Sequence, residues 1–205
     1  MSGIDNYVTA GALSLQEGKT YYFAVIAKNG AGLESPTGYS DGISVDTIAP
    51  SGTITINNNA SYTSSISVSL NLSALDTGGS GLSQMQFSNN NKTYSIPETY
   101  AATKSWALTS DNGTKTVYAK FKDVAGNWSG AYSDTITLDT QSPTITGISD
   151  SPDPFNPEKG QFLKISYTLS DNLSNPLDVS VYIYTSGGYL IRTLSITSQP
   201  LGKRY

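Results

Sequence analysis

The sequence predicts an all-β chain of tandem antiparallel β-sandwiches, and three observations carry that reading. The first is a long internal repeat: Tyr39-Ser40-Asp41 returns as Tyr132-Ser133-Asp134, Asp46-Thr47 as Asp139-Thr140, and Pro50 as Pro143, each 93 positions on. That period exceeds the usual solenoid unit and suits an autonomous sandwich of about 100 residues. The second is composition: charged residues make up only 14% of the chain, while Ser, Thr, Asn, Gly and Tyr are abundant. Such a mixture favours twisted strands joined by polar turns and gives helices little support. The third is a period-two alternation of apolar side chains in segment after segment, the pattern of a half-buried strand.

A repeat of this length placed in the middle of 205 residues divides the chain into three modules: 1–48, 49–142 and 143–205. Only the second is expected to be complete. In the first, Leu15 and Gly18 precede Tyr21, Phe23, Val25 and Ala27, whose alternation puts four side chains on one sheet face. Asn29-Gly30-Ala31-Gly32 supplies a turn, and Ile43 and Val45 begin the return strand. Leu15, Gly18, Tyr21, Val25, Ala27 and Gly32 resemble the tyrosine corner and penultimate strand of the fibronectin type III family, over residues 13–46. The resemblance implies the second half of a sandwich.

The middle module opens at Ile54 and Ile56, and Ile66, Val68, Leu70 and Leu72 alternate for a full strand. Asp76-Thr77-Gly78-Gly79-Ser80-Gly81 turns the chain, 82–87 forms another strand, and Trp106 with Leu108 marks a fifth, with Trp106 assigned to the core. Val117, Ala119 and Phe121 then repeat the face of Phe23, Val25 and Ala27 at an offset of 94. Asp76 with Ser80-Gly81, Asp123-Val124-Ala125-Gly126-Asn127, Asp139-Thr140 and Pro143 together resemble the tandem Ig-like repeats of large bacterial surface proteins. From Ser151 the pattern changes. Ser151-Pro152-Asp153-Pro154-Phe155-Asn156-Pro157 is followed by Ile165, Tyr167 and Leu169, by Val179, Val181 and Ile183, and by Gly188 and Ile191-Arg192-Thr193-Leu194. This segment resembles, over 151–194, the Ig-like domain of the flagellar hook-capping protein, a family whose closing strands do not appear before Tyr205.

Composition also excludes function classes. Without His or Cys the chain cannot build a Ser-His-Asp triad, a Cys-His pair, a His-ligated zinc site or an imidazole base. A glycosidase needs only two acids, yet Glu17, Glu34, Glu98 and Glu158 are scattered through turn-like segments, so no enzymatic activity is expected. The Gly78-Gly79-Ser80-Gly81 run precedes a strand, not the helix a phosphate cradle requires. A net charge of −4 and a pI near 4.7 argue against nucleic acid as a partner. No apolar run approaches the roughly 20 residues of a membrane span, and the start lacks the regions of a signal peptide, so any export signal is expected outside this sequence.

The sharpest local expectation concerns aspartates. In a sandwich of this type the entering linker and the loops after strands two and six gather at one pole, which should bring Asp46, Asp76, Asp123 and Asn127 together. Three converging carboxylates repel, and calcium, with six to eight oxygen ligands, is the natural neutraliser. Asp139 and Asp171 repeat the logic at the next joint. The competing reading is that these aspartates simply cap turns. Trp128, with Tyr132 nearby, offers a surface for stacking on a glycan, or buries itself at the joint. Tyr182 and Tyr184 form an aromatic face opposite Val181 and Ile183.

These features lead to the expectation of a non-catalytic segment of a secreted or cell-surface bacterial protein, serving as spacer, adhesive stalk or assembly unit. The alternative is an accessory, glycan-binding region of a secreted polysaccharide-degrading enzyme. Expected partners are other modules of the same chain, glycan, or a second copy joined head to tail through the two partial modules.

Overall fold

The computed structural model describes residues 7–11 and 13–204; the expected module boundaries also take in residues 1–6, 12 and 205, which lie outside the described residues. Strand accounts for 48% of the described residues, which include no α-helix. The all-β class read from the alternation is the class found. The chain divides into two compact units, one of residues up to Asn58 with Ser69–Trp106 and Thr116–Asp134, the other of Asn59–Val68, Ala107–Lys115 and the segment from Thr135 onward.

The first strands are short: β1 (Thr20–Tyr21), β2 (Ala24–Val25), β3 (Gly38–Tyr39) and β4 (Ile43–Ser44), with β1 against β4 and β2 against β3. The continuous strand expected through Tyr21, Phe23, Val25 and Ala27 is interrupted, and Phe23 and Val25 stand 45% and 69% exposed. Serine hydroxyls take two of the backbone amides along this segment. The Phe23 and Ala27 amides donate to Ser40 Oγ and Ser35 Oγ, while the amides of those serines donate back to the Phe23 and Ala27 carbonyls. The Gln16 amide donates to the Tyr21 hydroxyl at 2.9 Å.

Eight strands follow: β5 (Ser51–Ile56), β6 (Tyr62–Thr63), β7 (Ser67–Leu75), β8 (Leu82–Ser88), β9 (Glu98–Thr99), β10 (Thr103–Ala107), β11 (Gly113–Asp123) and β12 (Tyr132–Leu138). They form a three-stranded sheet, β10-β7-β5, and a five-stranded sheet, β6-β12-β11-β8-β9. β5 with β7, β8 with β11 and β8 with β9 pair antiparallel, and β6 with β12 parallel. Alternation decides which side chains are buried: Leu70 and Leu72 on β7, Met85 and Phe87 on β8, and Val117, Ala119 and Phe121 on β11. Each of these side chains larger than alanine contributes about 1.5 to 3 kcal/mol when taken from water. Val117, Ala119 and Phe121 are fully buried, whereas their counterparts Phe23, Val25 and Ala27 are exposed. The same alternating pattern therefore yields a core only where a second layer lies over it.

The serine exchange recurs here. The Phe87 amide bonds Ser95 Oγ and the Phe121 amide bonds Ser129 Oγ, with the serine amides returning to the same residues' carbonyls. Ala27–Ser35 and Phe121–Ser129 are equivalent positions 94 residues apart, so the repeat extends to backbone detail. Trp106, expected in the core, is half-buried: its ring centre lies 5.5 Å from that of Phe87 and its Nε1 donates to Asn89 Oδ1.

The last strands are β13 (Thr144–Ser151), β14 (Lys164–Ser170), β15 (Leu177–Tyr184), β16 (Leu190–Gln199) and β17 (Gly202–Arg204), arranged as β13-β14-β17 and β15-β16. Their small core joins Tyr167 and Leu169 of β14 to Val179 of β15, with Ile165, Leu177, Val181 and Leu201 packed around it. Tyr182 and Tyr184 point the other way, more than half exposed.

Gly52 lets β5 pass close to the core: a Cβ there would meet the Phe121 ring at 2.6 Å and the Ser73 carbonyl oxygen at 2.7 Å. Gly52→Ala should destabilise the protein by about 1 to 3 kcal/mol in urea unfolding, since both neighbours must shift. Gly130→Ala, where a Cβ meets nothing within 4 Å, should stay within about 0.5 kcal/mol of the parent.

Candidate functional site

Asp46, in the linker before β5, Asp76, in the turn after β7, and Asp123, at the end of β11, each place one carboxylate oxygen within 4.8 Å of the others. All three belong to the first compact unit. Local structure sets each one. Asp46 folds into a turn, with Oδ1 accepting the Ile48 amide and Oδ2 accepting the Ser80 amide at 2.7 Å. Asp76 Oδ2 accepts the Gly81 amide, and any side chain at Gly79 would collide with this carboxylate. Asp123 is 1% exposed and accepts the amides of Gly126 and Asn127 through Oδ1. Asn127 Nδ2 donates both to Asp123 Oδ2 and to the Asp46 carbonyl, tying the β11 loop to the linker.

Two further features distinguish this cluster. Burying a carboxylate oxygen without a partner is costly, yet Asp76 Oδ1 is buried and accepts no hydrogen bond. Three like charges so close also repel one another. A calcium ion would answer both, since Ca–O distances of roughly 2.3 to 2.6 Å let oxygens up to about 5 Å apart share one ion. Asp46, Asp76 and Asp123 are the residues able to hold it. Asn127, expected among the ligands, enters as a hydrogen-bond donor that orients two of the partners.

The second joint, in the other unit, is built differently. Ser174 Oγ donates to Asp139 Oδ2 at 2.8 Å, and Asp171 Oδ1 accepts the Leu173 and Ser174 amides. Both acids line an open hollow of about 290 Å³ together with Tyr62, Gln141 and Pro143. With two carboxylates already bridged by a serine, this joint has less unmet charge than the first.

The linkers hold a feature that sequence reading missed. Thr47 donates through both its amide and its hydroxyl to Glu17 Oε2, at 2.6 and 2.7 Å. Thr140 does the same to Asn112 Oδ1, at 3.2 and 2.8 Å. Ile48 and Gln141 likewise donate to Asp46 Oδ1 and Asp139 Oδ1. Glu17 and Asn112 are 95 positions apart, close to the repeat, and that offset was the available signal. A change of residue type concealed it.

Trp128 is half-buried, with Lys122 Nζ 5.7 Å from its ring centre, while Tyr132 packs on the core residue Phe121 at 5.9 Å. Among the described residues no ring contact joins Trp128 to Tyr132. No protein-family model and no curated protein matches the chain.

Hydrogen bonds from Ser80, through its side chain first and then its amide, hold the Asp46 carboxyl below its ordinary value of 3.8, outweighing desolvation, with the Ile48 amide adding to them. A depressed native value means the contact is stabilising above the ordinary carboxylate range and is lost as pH falls through the lower native value. In an acid titration followed by NMR, the Ser80 amide should therefore shift with a midpoint below 3.8. Asp46→Asn should abolish that transition.

Proposed function

We propose that the chain is a non-catalytic spacer of tandem sandwich modules whose joints are held at fixed geometry. The observation that carries this reading is the twice-built Asp-Thr linker. At each joint the threonine bonds twice to a side chain that precedes the adjoining strand pair, and the aspartate bonds forward to the turn of the next module. A flexible tether would have no use for four such contacts repeated with 93-residue spacing. Proline at 50 and 143 stiffens each linker further.

The sequence resemblances to fibronectin type III, bacterial Ig-like and hook-capping modules support an extracellular or cell-surface setting, in which antiparallel ladders bear load between distant points. Calcium at Asp46, Asp76 and Asp123 strengthens the first joint by neutralising a cluster that otherwise pushes linker and module apart.

Titration calorimetry with calcium chloride should give one site per chain, and chelator should lower the melting temperature. Asp123→Asn or Asp76→Asn should remove both effects. Heat and melting curves unchanged by calcium would withdraw the ion from the proposal. For the spacer itself, small-angle scattering of Thr47→Val/Thr140→Val should show a broader distribution of interatomic distances than the parent at unchanged strand content. A parent chain already as broad as the variant would contradict it.

A further inference from the structure

The outward face of β11 and β8 carries a second set of functional groups, separate from the joints. Along β11 the residues that alternate with buried Ala119 and Phe121 are Lys120 and Lys122. Directly across on β8 stand Gln86 and Gln84, and beyond Gln84 on β9 stands Thr99. All of these belong to one compact unit.

Each ammonium rests on an aromatic ring. Lys120 Nζ lies 4.7 Å from the centre of the Tyr94 ring, and Lys122 Nζ lies 5.7 Å from that of Trp128. Ring faces hold a cation in place without neutralising it. Among the described residues neither lysine forms an ion pair, while Lys28, Lys104 and Lys115 each have a carboxylate partner. The result, on a chain of net charge −4, is a pair of positioned, uncompensated positive charges beside neutral hydrogen-bonding groups.

We infer that this face binds an acidic polysaccharide, one whose sugars carry carboxylates at intervals. Lys120 and Lys122 occupy alternate positions of one strand, which sets them about 7 Å apart. They engage carboxylates, and Gln84, Gln86 and Thr99 engage the hydroxyls between. Two cations are too few for nucleic acid, whose affinity rises with the number of phosphates neutralised. An acidic peptide would need a buried apolar anchor, and the residues facing the lysines across the sheet are amides and a hydroxyl. The inference is independent of the joints.

The test is affinity electrophoresis of the full chain in gels containing polygalacturonate, dextran or single-stranded DNA, all with EDTA so that the aspartate site plays no part. Polygalacturonate should retard the protein in a salt-dependent way, and dextran and DNA should not. Lys120→Gln/Lys122→Gln should weaken retardation by about tenfold or more, as two charge-assisted contacts are lost. Lys120→Arg/Lys122→Arg should restore most of it, and melting curves of both variants would separate lost contacts from lost folding. Absence of retardation, equal retardation of the folded Gln variant, or equal retardation by DNA would each overturn the inference.

Discussion

The structure turns on a linker dipeptide whose two side chains face opposite ways. Thr47 and Thr140 reach back to an oxygen before the strands just completed, and Asp46 and Asp139 reach forward to a turn in the strands to come. Each contact alone is a single hydrogen bond, exposed at Thr47, Asp46 and Thr140 and part-buried at Asp139. Their value lies in being made together by adjacent residues, so that neither neighbour can rotate without breaking bonds on both sides. The remaining joint contacts build on this frame: Asn127 joins the linker carbonyl to the loop of Asp123, and Asp76 places a carboxylate oxygen within 4.8 Å of both other acids.

Much of the fold was legible beforehand, and the reason is periodicity. Strand positions follow from alternation, so Val68, Leu70 and Leu72, or Val117, Ala119 and Phe121, declare their face before any coordinate is known. The meeting of Asp46, Asp76 and Asp123 was legible for a related reason: sandwich topology sends a linker and two loops to one pole, and each carried an aspartate at a turn. The exposure of Phe23 and Val25 was legible too, because a module expected to be incomplete leaves their face without an opposing sheet. What stayed hidden was the linker contact. The partners of Thr47 and Thr140 differ in type, Glu17 and Asn112, so a search for identical residues passes over a contact that chemistry treats as the same.

Serine has a parallel role in the strands. At Ala27, Phe87 and Phe121 a hydroxyl eight residues on takes the amide that a ladder carbonyl would otherwise accept. This lets a strand bend out of one pairing and into a loop without leaving a buried donor unmet. The abundance of serine, which at first suggests only turns, thus has a structural use inside the sheets. It also explains how a chain with little charge and no cysteine keeps its strand ends in order.

The central proposal is that the Asp46-Thr47 linker holds the strands on its two sides as one body. Residual dipolar couplings from a weakly aligned sample, fitted separately for the amides of β1–β4 and of β5–β12, measure this most directly. The account predicts alignment tensors of the same magnitude and orientation for the two sets, diverging once Thr47→Val and Asp46→Ala are combined. Tensors that already differ in the unmodified protein would contradict it.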